Sequence, residues 1–268
     1  MCFNKLFNRK VLARPTERIR AYCICCGSRS YFDSFEPIDS LCKRNSFICK
    51  KCGSISRNRH VAKVILELYP IDSALKSLRH FSLKTTITIL NTCASLSIHD
   101  SLNSAKNYQV SEFIDGVKPG EVHQGVTCQD LNNLTYDDNS FDLIITEDVM
   151  EHVSDPRKAF KEIGRVLKPN GYHVATIPVF WDQPRSLTRA VFLDGTLRHL
   201  MPPIHHGDPY RPEGSLVFID FGADIVDEYC SYTGKTETIW SYGDTFDEKN
   251  YAIFHSMLFV SKKGPSRN

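Results

Sequence analysis

The chain has 268 residues, 41% of them hydrophobic and 24% charged, enough for one large core or for an α/β domain with a small appendage. It holds no run of about 20 apolar residues, which excludes a membrane-spanning helix, and the basic N-terminus lacks the apolar stretch expected of a secretory signal. The net charge of +2 conceals a division: residues 1–65 carry 14 Lys/Arg against 4 Asp/Glu, and residues 66–268 carry 19 against 27. Ten cysteines without a secretory signal point to a reducing compartment, so a cytoplasmic location is expected.

Residues 1–20 form a basic tail for which helix, strand and disorder all stay open. Cys23-x2-Cys26 and Cys49-x2-Cys52 follow, 22 residues apart and each backed by a glycine (Gly27, Gly53) that lets backbone N–H groups turn toward the sulfurs. Two such pairs suit a tetrahedral structural zinc site with Cys23, Cys26, Cys49 and Cys52 as ligands, although Cys25 or Cys42 can replace one of the four. The segment between the pairs is poor in apolar residues, so a metal would supply free energy that burial cannot. A redox role is the weaker reading, because redox C-x-x-C pairs follow a strand in a βαβ unit.

Next, Arg57–Tyr69 reads as a helix with Val61, Val64, Ile65 and Leu68 on one side and Pro70 as its stop. A second short helix is expected over Ser73–His80, a first sheet strand over Thr85–Leu90 and a weaker strand over Val122–Val126. Tyr136–Ser140 is a turn, and Phe141–Ile145 is an apolar run suited to a parallel strand buried on both faces. Asp155-Pro156 then caps a helix whose apolar face is Ala159, Phe160, Ile163, Val166 and Leu167. Lys168-Pro169-Asn170-Gly171 is expected to end it, with the glycine at positive φ, before a strand over Tyr172–Ile177. Strand, crossover helix and strand make a right-handed βαβ unit, and ligands in such sheets sit outside the carboxyl ends of the strands.

This run carries a resemblance. Phe141-Asp142, Glu151-His152, Asp155-Pro156, Glu162, Arg165-Val166-Leu167-Lys168-Pro169 and Gly171 match, in order and spacing, the fourth strand, following helix and fifth strand of class I S-adenosylmethionine-dependent methyltransferases. The resemblance spans roughly residues 84–262. It implies an α/β, Rossmann-like domain with a seven-stranded mixed sheet over residues 84–264, preceded by a small zinc-knuckle segment with linking helices over residues 21–83. The activity it implies is methyl transfer from S-adenosylmethionine to an undetermined acceptor, a small molecule or sugar being favoured. Alternatives are a zinc-ribbon RNA methyltransferase and a methyltransferase-like binding protein without activity.

The family's first loop is glycine-rich, whereas the matching segment here holds Asn91, Cys93, Ser95 and Ser97 with no glycine. These side chains are small but tolerate positive φ less well than glycine. By the same resemblance Asn91, Cys93 and Ser95 face the cofactor, Glu112 accepts its ribose hydroxyls, Asp130 and Leu131 take the adenine, and Thr146 and Glu147 lie near its reacting end. Residues 179–215 are an irregular, proline-rich insertion expected to roof the pocket, with Trp181, Phe192, Met201 and Tyr210 excluding water. Its His205, His206 and Asp208 are the candidates for a base or a substrate grip. A helix over Val217–Tyr229 and strands over Thr236–Tyr242 and Ala252–Ser261 close the chain. The basic residues 1–65 are free to meet an anionic partner or the acidic remainder of the same chain.

Overall fold

A computed structural model describes residues 14–35, 41–70, 76–94, 97–208, 211–232, 237–242, 244–254 and 256–265. The basic tail becomes a strand before residue 20: β1 (Glu17–Tyr22) pairs antiparallel with β2 (Arg29–Ser34), which pairs with the short β3 (Ile48–Cys49). Helix α1 (Ser56–Leu68) forms where expected. Helix α2 is shorter and later than expected, at Leu78–Ser82, and residues 71–75 of the expected helix lie outside the described set.

The main sheet contains β4 (Ile89–Asn91), β5 (Tyr108–Glu112), β6 (Val122–His123), β7 (Val126–Cys128), β8 (Phe141–Glu147), β9 (Leu167–Thr176), β16 (Glu237–Tyr242) and β17 (Met257–Lys262), in the order β16-β17-β9-β8-β4-β5-β7-β6. Strands β4, β5, β7, β8 and β9 run parallel, and β17 runs antiparallel to both of its neighbours. This is the expected seven-stranded mixed sheet, with two-residue β6 added at one edge. The expected strand at Val122–Val126 is two strands, because Gln124 and Gly125 both take positive φ (50° and 82°) and turn the chain back as a hairpin.

Alternation along the strands divides the core in two. Leu143, Ile145, Val174 and Val260 face the cysteine segment, α1, α2 and α3 (Ser97–Leu102), sharing one apolar cluster with Cys23, Phe32, Phe47, Val61, Ile65 and Leu78. Ile144, Ala175 and Phe259 face the opposite layer, α4 (Pro156–Val166) and α5 (Ile225–Tyr232), and pack on Phe160, Ile163, Val166 and Tyr229. The cysteine segment therefore has no separate core: its apolar residues cover one face of the sheet.

Helix α4 starts as the sequence requires, with the Asp155 side chain accepting from the N–H of Lys158. Its end differs from expectation. The helix stops at Val166, and Lys168–Gly171 already belongs to β9. Positive φ falls on Asn170 (64°) and not on Gly171. Gly171 is needed for another reason: a Cβ there would lie 2.9 Å from both the Asp142 and the Lys168 carbonyl oxygens. The backbones converge at the register shift between Phe141 and Leu143.

The insertion has more order than its sequence suggests. Its described residues form three small ribbons: β10 (Leu187–Thr188) with β15 (Ile219–Asp220), β11 (Ala190–Leu193) with β12 (Thr196–His199), and β13 (His205–His206) with β14 (Ser215–Leu216). It therefore runs on to residue 220, and the expected helix over Val217–Tyr229 is reduced to α5. A helix absent from the sequence reading, α6 (Thr245–Tyr251), precedes β17 and is capped by the side chains of Asp244 and Asp247.

Candidate active site

The thiols of Cys23, Cys26, Cys49 and Cys52 lie within 4.8 Å of one another, and no disulfide links them. Each pair makes the same turn: Gly27 donates to the Cys23 carbonyl and Gly53 to the Cys49 carbonyl, both glycines at positive φ (78° and 71°). The backbone N–H of Lys51 points at Cys49 Sγ, 3.4 Å away. Hydrogen bonds with Cys23, Cys26 and Cys52 hold the Cys49 thiol well below its usual range, and those with Cys23, Cys26 and Cys49 push Cys52 well above it. Four thiols this close cannot all ionise without a cation among them. Cys25 is buried outside the cluster, and the side chain of Cys42 lies outside the described residues.

At the carboxyl ends of β4, β5, β7 and β8 lies a cavity of about 1060 Å³. Cys93, Glu112, Asp130, Leu131 and Glu147 line it from the strand ends, and His205, His206 and Asp208 line it from the insertion. Glu112 ends β5 and accepts from the Ala94 N–H through Oε1 (2.7 Å); burial pushes its carboxyl up to about 7. Asp130 follows β7 and caps its own turn, Oδ1 accepting from the Asn132 N–H at 2.8 Å.

The cysteine segment also enters this cavity. At the start of α1, Asn58 accepts from the Ile55 N–H through Oδ1 (3.1 Å) and donates through Nδ2 to Glu147 Oε2 (2.6 Å). Arg44 makes a two-pronged contact with Asp148 (2.8 and 3.1 Å), and Arg57 pairs with the same carboxylate. Burial lowers both guanidiniums to about 10, so they stay charged at neutral pH. Asp148 is held at a φ of 50° by its N–H bond to the Thr176 carbonyl.

The insertion is clasped over the site. Arg211 pairs with Asp208 (2.7 Å) and with Asp115 just beyond β5 (2.6 Å), and Ser215 donates to Asp208. His206 Nδ1 meets His152 Nε2 at 3.2 Å, and His152 Nδ1 donates to the Leu216 carbonyl at 2.9 Å.

Residues 101–175 match the family model described as a methyltransferase domain, which covers β5, β7, β8, α4 and most of β9. The sheet has the Rossmann-like order of the class I methyltransferase fold, and the family match lies within it. No curated protein matches it. Among solved structures it is similar to a Haloferax volcanii complex of the Trm112 methyltransferase activator with a methyltransferase (13% identity, 79% of this chain and 92% of that chain, TM-score 0.45). It is also similar to S-adenosylmethionine-dependent methyltransferases from Clostridium acetobutylicum (16% identity, 77% and 99%, TM-score 0.44) and Mesorhizobium loti (13%, 69% and 95%, TM-score 0.42).

Within this sheet domain the expected site residues divide. Cys93, Glu112, Asp130, Leu131 and Glu147 come together around the cavity. Thr146 instead faces the opposite side of the sheet, where its hydroxyl meets His173 Nε2 at 2.9 Å. Asn91 is buried at the end of β4 and turned aside, its Nδ2 donating to the Cys93 carbonyl (2.9 Å) and to the Tyr108 hydroxyl (3.0 Å). Ser95, Tyr210 and residues 1–13 lie outside the described residues. The described part of the first loop contains no positive φ, so its residues tolerate side chains where the family places glycine. Phe192 lines the cavity, whereas Trp181 is 48% exposed away from it, so the water-excluding role expected of Trp181 does not hold.

Sequence reading missed Arg44, Arg57 and Asn58 as site residues. One signal was available: Ser56-Arg57-Asn58-Arg59-His60 opens a helix with a wholly polar turn that is nonetheless entirely buried. A polar turn of that kind needs partners in another element.

Proposed function

We propose that the chain transfers a methyl group from S-adenosylmethionine to a small acceptor held beneath residues 179–220. The observation that supports this most is the roofed cavity of about 1060 Å³, bounded on one side by Glu112, Asp130 and Glu147 and on the other by the histidine ribbon. The residues present suit the cofactor. Glu147 Oε1 is buried without a partner among the described residues, a carboxylate oxygen suited to an ammonium group. Glu112 has the chemistry to accept a vicinal diol, and Asp130 to accept an exocyclic amine. When bound, the cofactor supplies an electrophilic methyl group on a sulfonium.

The protein's own part is to orient both partners and exclude water. Asp208, held by Arg211 and Ser215, fixes the ribbon that carries His205 and His206, and an imidazole there can take the acceptor's proton. The clasp makes the site a closed one, which favours a small molecule or sugar over a polymer. Among described residues 14–65, the exposed large aromatics are Tyr31 and Phe35, little stacking surface for single-stranded RNA. In the same reading the four clustered cysteines hold one structural zinc ion. Exposed Arg14, Arg20 and Arg29 remain for an anionic partner, while Arg44 and Arg57 are engaged internally.

Calorimetric titration of the folded chain with S-adenosylhomocysteine tests the reading. One site is expected, weakened by about 1–3 kcal/mol in Asp130→Ala. No binding at millimolar ligand would favour the non-catalytic alternative.

A further inference from the structure

Beside the cofactor-facing acids, three side chains converge that the methyl-transfer reading does not use together. Glu151 and His152 sit in the 3-10 turn Met150–His152 after β8, and His206 lies on β13, 54 positions further along the chain. Glu151 Oε1 is 3.7 Å from His152 Nε2 and 3.7 Å from His206 Nδ1, and the two nitrogens are 3.2 Å apart. For a triangle of these sides the equidistant point lies about 2.1 Å from each corner, the bond length of a divalent ion to imidazole nitrogen or carboxylate oxygen.

Two further observations point to a ligand. Glu151 is 1% exposed, and the two imidazoles at 3.7 Å are its neighbours, too far for a normal hydrogen bond, with no closer donor to either carboxylate oxygen among the described residues. A buried carboxylate left that way is costly, and one cation would satisfy it together with both imidazoles. In addition, His152 Nδ1 donates to the Leu216 carbonyl at 2.9 Å, which leaves Nε2 as a lone pair facing the other two donors. A backbone carbonyl fixing the tautomer of an imidazole in this way is the usual support behind a metal-ligating histidine. The ribbon is also tied to the turn from the main chain: the Phe218 N–H donates to the Glu151 carbonyl at 2.8 Å.

We propose that Glu151, His152 and His206 form a second metal site, for a divalent first-row transition ion, opening onto the cavity and separate from the cysteine cluster. Two imidazoles and one carboxylate are a donor set for Mn, Fe, Co, Ni or Zn and leave coordination positions vacant. All three residues line the cavity, so those positions face the acceptor space. The ligand class follows: an acceptor presenting a hydroxyl or carboxylate oxygen, which the ion would orient and make more acidic. This last step rests on the methyl-transfer reading, but the binding of the ion does not.

The test uses the full chain with its cysteine cluster already loaded with zinc. It is titrated with Mn²⁺ and in parallel with Co²⁺, followed by calorimetry and by the paramagnetic spectrum of each ion. One equivalent of at least one of the two ions is expected, without the thiolate charge-transfer band that Co²⁺ would show on the cysteines. His206→Ala and Glu151→Gln should each weaken it by about 10-fold or more, with zinc content, circular dichroism and S-adenosylhomocysteine affinity unchanged. Because His206 lies on the insertion, its variant keeps the test open if Glu151→Gln fails to fold. Binding of neither ion, or binding that both folded variants retain, overturns the site. Loss of S-adenosylhomocysteine binding with ion binding intact would count against the cofactor reading alone.

Discussion

Asn58 donates to Glu147 at 2.6 Å across 89 positions of sequence, joining the first turn of α1 to the end of β8 inside the cavity. The same amide accepts from the Ile55 N–H, so its orientation is fixed from both sides. The bond makes the cysteine segment part of the cavity wall.

Asn58→Ala should therefore act at two places. It leaves the Ile55 N–H uncapped and Glu147 without a buried partner, at a cost of about 1–3 kcal/mol in urea denaturation. S-adenosylhomocysteine affinity should change as well, because Glu147 lines the site. A loss of stability with unchanged affinity would show that Glu147 does not touch the cofactor.

Chelation should unfold more than the cysteine segment. Cys23, Cys26 and Cys49 belong to the same apolar cluster as Leu143, Ile145 and Val174 of the sheet, so withdrawing a metal from them should lower the melting temperature of the whole chain. Zinc near one equivalent per chain is expected by metal analysis. A chelator that removes the zinc without shifting the thermal transition would refute this coupling.

Glu112 sets a pH dependence. Burial raises its carboxyl from an ordinary 4.5 to about 7, so the folded protein holds this proton more tightly than the unfolded chain does. Its contribution to stability is present below about pH 4.5 and is lost as pH rises through about 7. Ligand binding should run the other way, since the ionised carboxylate is the better acceptor for a diol. S-adenosylhomocysteine should bind more tightly at about pH 8 than at about pH 6, and Glu112→Gln should flatten that dependence. Titration calorimetry at several pH values checks it.

Gly171 and Asn170 separate two backbone demands at the bulge. Gly171→Ala places a methyl group against the Asp142 and Lys168 carbonyl oxygens, neither of which can withdraw from the sheet, and should cost about 1–3 kcal/mol. Asn170→Gly relieves a positive φ and should be neutral or slightly stabilising. Equilibrium denaturation of the two variants distinguishes them.

Local chemistry made much of the fold legible. The Asp155 cap, the apolar stripe of α4, the doubly buried β8 and the paired cysteines each follow from neighbours within a few residues, so their spacing in the chain suffices. Glu112 and Asp130 are placed by the resemblance and not by local spacing; Glu112 ends β5, Asp130 follows β7, and both line the cavity. Other features depend on partners far apart in sequence. Whether Gly171 serves a turn or a close approach depends on where Asp142 passes, and Thr146 lost its assigned role because strand alternation turns it toward His173. The polar first turn of α1 is at home in a core only because Glu147 and Asp148 meet it there. Glu151, His152 and His206 become a ligand set only when the ribbon folds back over β8, because His206 lies 54 positions beyond His152 and, unlike the paired cysteines, no spacing in the chain brings them together.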